Sequence, residues 1–122
     1  MEEAFLHYIW KNRFEKKTVA TAEGEKITIL KTGEQNRDAG PDFFNAMVRT
    51  GGTTWVGSVE VHVKASDWAV HGHDHDPAYD NVILHAVYEY DGPVHRSTGQ
   101  EIPAIIMKGF FSSIKVNFDN LS

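Results

Sequence analysis

No cysteine occurs among the 122 residues, and that absence removes disulfides, thiolate nucleophiles, thiol redox chemistry and every cysteine-based zinc site. Metal ligation and acid–base chemistry are left to histidine and the carboxylates. Long apolar runs are missing too: nothing approaches the roughly 20 residues that a membrane-crossing helix needs. The opening Met1-Glu2-Glu3 is acidic where a secretory leader would be basic. These absences predict a cytoplasmic protein with no membrane partner. Positive charge is in deficit, with 12 lysines and arginines against 17 acidic residues and a net charge of −5. The chain as a whole is therefore not drawn to a phosphate backbone, and a nucleic-acid partner would have to be held through a local site. Low-complexity tracts and internal repeats are also absent. With 41% hydrophobic, 11% aromatic and 24% charged residues, the composition is globular rather than disordered, and the length fits one domain over 1–122.

What is present is organised around the stretch Trp55-Val-Gly-Ser-Val-Glu-Val-His-Val-Lys64, the cleanest alternation in the chain. Side chains two apart share a face of a strand. Trp55, Gly57, Val59, Val61 and Val63 thus form a core-facing set, while Val56, Ser58, Glu60, His62 and Lys64 form the other face. The bland expectation for that second face is a solvated outer surface. The sharper one is a site, because a carboxylate, an imidazole and an amine follow one another at single-pleat spacing.

Upstream, Phe5, Leu6, Ile9, Trp10 and Phe14 recur at helical spacing, with Glu2 and Glu3 at the amino end and Lys11, Arg13, Lys16 and Lys17 at the carboxyl end. They predict a helix from Glu2 to Phe14. Thr18 to Thr32 reads as a hairpin about Glu23-Gly24-Glu25, and Gly33 to Pro41 as a loop. Asp42 to Thr50 reads as a strand, turning at Gly51-Gly52 into the central strand. A two-residue turn would pair Thr50 with Thr53 and bring Asp42 opposite Val61, beside Glu60 and His62. Ala65 to Asn81 is rich in His and Asp, and Gly72 and Pro77 argue against a long helix there, although single turns can begin at Ser66 and Pro77. Val82 to Tyr88 reads as an interior strand and Ile102 to Met107 as an edge strand, placed outward by Pro103. Phe110 to Ser122 offers a short amphipathic helix carrying Phe110, Phe111, Ile114 and Phe118.

Asp42 and Glu60 on adjoining strands would converge on one point as hard oxygen donors suited to Mg²⁺ or Mn²⁺. His62 could then position or deprotonate a water, and Lys64 could neutralise charge on a phosphate. Pro41-Asp42 at a strand start followed by Glu60-Val-His62 on the next strand, after a helix and a strand, resembles the PD-(D/E)xK nuclease superfamily. That resemblance implies a restriction-endonuclease-like core of helix, three strands, crossover and further strand. It also implies Asp42 and Glu60 as ligands of a divalent metal and a nucleic-acid phosphodiester as substrate. The chain departs from the superfamily at the third motif position, where His62 replaces the usual Lys and Lys64 lies two residues on.

A closer resemblance, over nearly the whole chain, is to a bacterial family known as domain of unknown function 2851. It is carried by Asp38-Ala-Gly-Pro-Asp-Phe-Phe-Asn-Ala46, Val59-Glu-Val-His62, Ser66-Asp-Trp68, His71-Gly-His73, Asp76-Pro-Ala-Tyr79 and Val82-Ile-Leu-His85. Members of that family run longer, which implies an amino-terminal piece or a shortened relative. The fold class expected from all of this is α/β (α+β), a mixed central sheet with an N-terminal helix. The alternative is a mainly-β sandwich with one helix.

The histidines make a second expectation. His71, His73 and His75 within five residues, with His85 on the following strand, could hold Zn²⁺ or another transition metal. The opposing account is a polar loop of histidines hydrogen-bonded to aspartates, with His85 a satisfied core residue beside Ile83 and Val87. Under that account the protein is a non-catalytic binding or scaffold module. Of the aromatics, Trp68 beside Asp67 is the candidate for stacking on a substrate, and Trp10 and Trp55 are expected in the core. His7 is expected to pack beside the helix, and Asn36 and Asp38 to shape the loop before Asp42.

Overall fold

The computed structural model describes residues 1–111. The helix expected from Phe110 to Ser122 lies almost wholly outside them, although 108–111 are helical. The expected architecture is found: a mixed α+β fold, mostly sheet, with a helix at the amino end.

Helix α1 spans Glu3–Arg13, and its apolar stripe buries Leu6, Ile9 and Trp10. Seven strands follow among the described residues: β1 (Thr18–Ala20), β2 (Lys26–Lys31), β3 (Glu34–Gln35), β4 (Phe43–Thr50), β5 (Thr53–Lys64), β6 (Val82–Glu89) and β7 (Ala104–Ile106). They form one sheet in the order β1-β2-β4-β5-β6-β7, with β3 also paired to β4. The β1 to β5 pairings are antiparallel hairpin work, whereas β5–β6 and β6–β7 are parallel. Parallel neighbours need a crossover. Between β5 and β6 it is residues 65–81, a four-residue helix α2 (Asp67–Val70) and two 3₁₀ turns, His73–His75 and Pro77–Tyr79. The sheet curls until the β1–β2 turn meets β7, where the Ala22 amide donates to the Ala104 carbonyl at 2.8 Å.

Each face of β5 is covered by something different. Val59 and Val61, with Leu84, Ala86, Ile105 and Met107, pack beneath Leu6, Ile9, Trp10 and Phe14 in the main core. Trp10 is fully buried and its indole N–H donates to the Thr32 carbonyl at 3.0 Å. Truncating a side chain of this kind typically costs about 3–5 kcal/mol. The other face of β5 lies under the 65–81 crossover, where Ala65, Trp68, Val82 and Val87 form a second cluster.

That crossover overturns the solvated-face expectation: Glu60 is 4% exposed and His62 1%. Trp55, expected in the core, is instead 52% exposed, with Val56 at 60%. The reason is where β6 begins. Its pairing with β5 starts at Ser58, so the tip of the β4–β5 hairpin stands beyond its neighbour. Gly57 marks the boundary, since a Cβ there would come within 2.5 Å of the Asn81 carbonyl oxygen and 2.6 Å of the Ile83 side chain. Strand β3, unexpected within the 33–41 loop, forms because Gly33, at φ +95° and with room for no Cβ beside the Phe44 carbonyl, lets the chain re-pair on β4.

Candidate metal centre

The Gly51-Gly52 turn pairs Thr50 with Thr53, and the expected register holds as far as Ala46 opposite Gly57. It then slips. Phe43 faces Val59, so Phe44 and Asn45 share the space opposite Ser58 in a β-bulge, and Asn45 takes the left-handed conformation at φ +57° that asparagine tolerates. The slip moves Asp42 one residue along, from Val61 to Glu60. Two backbone contacts lock it there: the Asp42 amide donates to Glu60 Oε1 at 3.0 Å, and the Val61 amide donates to Asp42 Oδ2 at 2.8 Å. The preceding loop is shaped as expected, with the Asn36 amide group donating to the Ala39 and Pro41 carbonyls and its oxygen accepting from the Asp38 N–H. Asp42 and Glu60 therefore lie side by side, with Asp42 Oδ2 turned towards the Val61 amide and His7 of α1.

Glu60 has two sides. Away from Asp42, its Oε2 lies 3.3 Å from His62 Nε2 and 2.8 Å from His73 Nε2. His62 comes from β5, His73 from the first 3₁₀ turn, and His71 from the cap of α2. The three can each offer a donor atom, all within 4.8 Å of one another. His85, directly opposite Glu60 on β6, backs the group through a 2.7 Å hydrogen bond between its Nε2 and His62 Nδ1. Trp68 and Tyr79 wall it in: Tyr79 stacks on the His73 ring at 3.6 Å, and Trp68 meets His73 and His85 edge-on at 5.2 Å. On the Asp42 side, α1 supplies Glu3 and His7 one helical turn apart. His7 Nε2 stands 3.3 Å from Asp42 Oδ2 and 3.7 Å from Glu3 Oε1. It makes an aligned hydrogen bond to neither. Glu3, His7 and Asp42 also place donor atoms within 4.8 Å of one another.

The electrostatics follow from burial. Desolvation, then the Asp42 charge, pushes the Glu60 carboxyl up to about 9. Burial would raise Asp42 as well, but the close approach of His7 and Glu60 and the hydrogen bond from the Val61 amide leave it lowered. The close approach of Asp42, then of Glu3, pushes His7 up to about 9. Burial holds His62 down to about 4 and His85 down to about 3, so both rings are neutral. Neutral imidazole is the ligating form. Besides His7 Nε2, two buried ring nitrogens, His73 Nδ1 and His85 Nδ1, have no hydrogen-bond partner among the described residues.

Not every expected site residue joins this group. Lys64 is exposed at the far end of β5, where its backbone N–H donates to Asp67 Oδ2. The His75 side chain is 88% exposed beside Asp74, away from His71 and His73, because a 3₁₀ turn sends neighbouring odd positions to different sides. Trp68 is fully buried, its indole N–H donating to the His95 carbonyl at 3.0 Å, and so has no face for a substrate. Two residues not expected in the site, Glu3 and His7, belong beside it. Their spacing of four on one helix, acid before imidazole, was the available signal.

A family model described as "Protein of unknown function (DUF2851)" matches residues 3–121. The chain belongs to this family. The match runs from Glu3 through the histidine-rich crossover, so both groups of donors fall within the DUF2851 domain. Comparisons with curated proteins and with solved structures found no match. The DUF2851 description names no reaction. A cleft of about 440 Å³, with Ile27, Trp55, Tyr90 and Glu101 among its lining residues, shares none of them with the histidine group.

Proposed function

We propose that this DUF2851 domain is a divalent-metal-dependent hydrolase of phosphodiesters. The observation that carries this reading is the set of three imidazoles, His62, His71 and His73, whose donor atoms converge above the buried Glu60 carboxyl. Three histidines suit Zn²⁺, Mn²⁺ or Fe²⁺, and a fourth, open position is the pattern of catalytic rather than structural metal sites. A cation held there would supply Lewis acidity and a water that ionises near neutral pH. Glu60 would hold or release the proton, Asp42 would fix the Glu60 carboxyl in place, and His85 would set the tautomer and orientation of His62. Lys64, at the solvent end of the same strand, is the residue that would meet an incoming phosphate. The order of Asp42, just before β4, and Glu60 on β5, which resembles that of the PD-(D/E)xK superfamily, supports a phosphodiester as substrate. Against that superfamily's carboxylate-only pattern, this reading gives the imidazoles the larger part in holding the ion.

The test is metal analysis of purified, untagged protein together with hydrolysis of bis(p-nitrophenyl) phosphate. The wild type should carry a transition metal and cleave the ester; H71Q and H73Q should lose both. A second reading, a non-catalytic metal clip, is favoured by one observation: His62 lies on the sheet and His71 and His73 on the crossover, so a shared ion would tie the two together. Under it, stripping the metal lowers the melting temperature sharply while the wild type never cleaves the ester.

A further inference from the structure

Glu60 is placed as a bridge rather than as an end. One carboxylate oxygen, Oε1, faces the Asp42 amide at 3.0 Å, and the other, Oε2, faces His62 and His73 at 3.3 and 2.8 Å. Beyond Oε2 lie the three imidazole donors already assigned to a cation. On the Asp42 side lies a second group of three, Glu3, His7 and Asp42, equally close to one another. These come from unrelated places: Glu3 and His7 from successive turns of α1, and Asp42 from the loop just before the β4 bulge. Leu6, Ile9 and Trp10 provide the buried stripe of α1, and the His7 ring meets Phe43 edge-on at 5.8 Å, which sets its position beside Asp42. His7 Nε2 is buried, aimed between two carboxylates, and aligned with neither.

We infer that Glu3, His7 and Asp42 form a second divalent-cation site, and that Glu60, lying between this group and the histidine triad, bridges the two into a paired-metal centre. The inference rests on the histidine-triad reading and adds the second ion to it. Its donors are two carboxylates and one imidazole, a harder set than three imidazoles, so the second position would accept Mn²⁺ or Mg²⁺ where the first favours Zn²⁺. Two cations sharing a carboxylate give phosphoryl chemistry a contact for both the attacking and the leaving oxygen. The bulge at Asn45 gains a role on this view: without the one-residue slip Asp42 would lie against Val61 and the two groups would not share Glu60.

The experiment is a Mn²⁺ titration of the full chain, apo and after loading with one equivalent of Zn²⁺, followed by native mass spectrometry and electron paramagnetic resonance. The variants are E3Q, H7Q and H73Q. E3Q alters a half-exposed side chain on the helix surface and guards against a folding artefact at His7. Wild type should take up two cations per chain, with spin coupling between two Mn²⁺ ions. E3Q and H7Q should each take up one, with the remaining site's affinity changed less than about tenfold and the lost site's by more. H73Q should keep the Mn²⁺ position and lose Zn²⁺. A wild type that binds a single cation, lost in H73Q but untouched in E3Q and H7Q, overturns the second site and leaves the triad standing. A wild type that binds no cation, or that binds a single cation which H73Q retains, overturns the triad reading itself.

Discussion

Replacing Glu60 by glutamine separates what this side chain does for the metal-free fold from what it does for a cation. In the metal-free protein its carboxyl is pushed from 4.5 up to about 9, by burial first and by Asp42 second. The folded chain therefore keeps a proton that the unfolded chain has already released. Between those two values the unfolded state binds fewer protons, so stability falls as pH rises through the window. Going from about pH 5 to about pH 8 covers three units, and at about 1.36 kcal/mol per unit this one group can remove at most about 4 kcal/mol. Glutamine has nearly the same shape and no charge, so E60Q escapes that slope. Urea denaturation in EDTA should show the stability of E60Q minus that of wild type growing by about 2–4 kcal/mol between the two pH values. A hydrogen bond lost through the exchange shifts both values alike and drops out of the difference. The same variant should bind Zn²⁺ or Mn²⁺ more than about tenfold more weakly, because the carboxylate next to the ligands is gone. Parallel pH dependences for the two proteins would refute the buried-carboxyl argument, whatever the metal result.

Other expectations follow from the same geometry. The His62 and His85 ring signals should stay flat in an NMR titration from about pH 8 to about pH 5, since burial holds them down to about 4 and about 3; an inflection near the ordinary 6.5 would contradict the buried pair. Their contribution to stability has the opposite sign to that of Glu60: it is present above 6.5 and is lost as pH falls towards the folded values. Gly57→Ala should destabilise by about 2–3 kcal/mol, measured by thermal unfolding, because the new methyl meets the Asn81 carbonyl oxygen at 2.5 Å. A divalent cation at a hundredfold its dissociation constant should stabilise the fold by about 2.7 kcal/mol, a rise of roughly 10 °C in Tm, and H71Q should abolish that rise.

Much of this protein is legible in short-range patterns. The period-two alternation of residues 55–64 gives β5 and the shared face of Glu60 and His62, and the period of α1 gives Leu6, Ile9 and Trp10 as its buried stripe. The paired glycines at 51 and 52, both at positive φ, give the turn and hence the partner strand. These follow locally because backbone geometry fixes which neighbours share a face and which turn two residues can make. The same patterns left the polar face of β5 looking wet, Trp68 looking available and His7 looking like filler. Each of those depends on what arrives from elsewhere in the chain.

Only the tertiary structure decided that the 65–81 crossover folds over Glu60 and His62, that α1 delivers His7 to Asp42, and that a one-residue bulge slides Asp42 onto Glu60. A parallel β5–β6 pair has to be joined by a long crossover, but no local preference says which face it covers or which of its histidines turns inward. That choice is made by packing: Trp68 is buried with Val82, Val87, Val94 and Ile102 and meets His85 edge-on, Tyr79 packs against this cluster, and His73 is stacked on Tyr79. The sequence determined which donors exist and on which strands and turns they ride; long-range packing determined which of them meet.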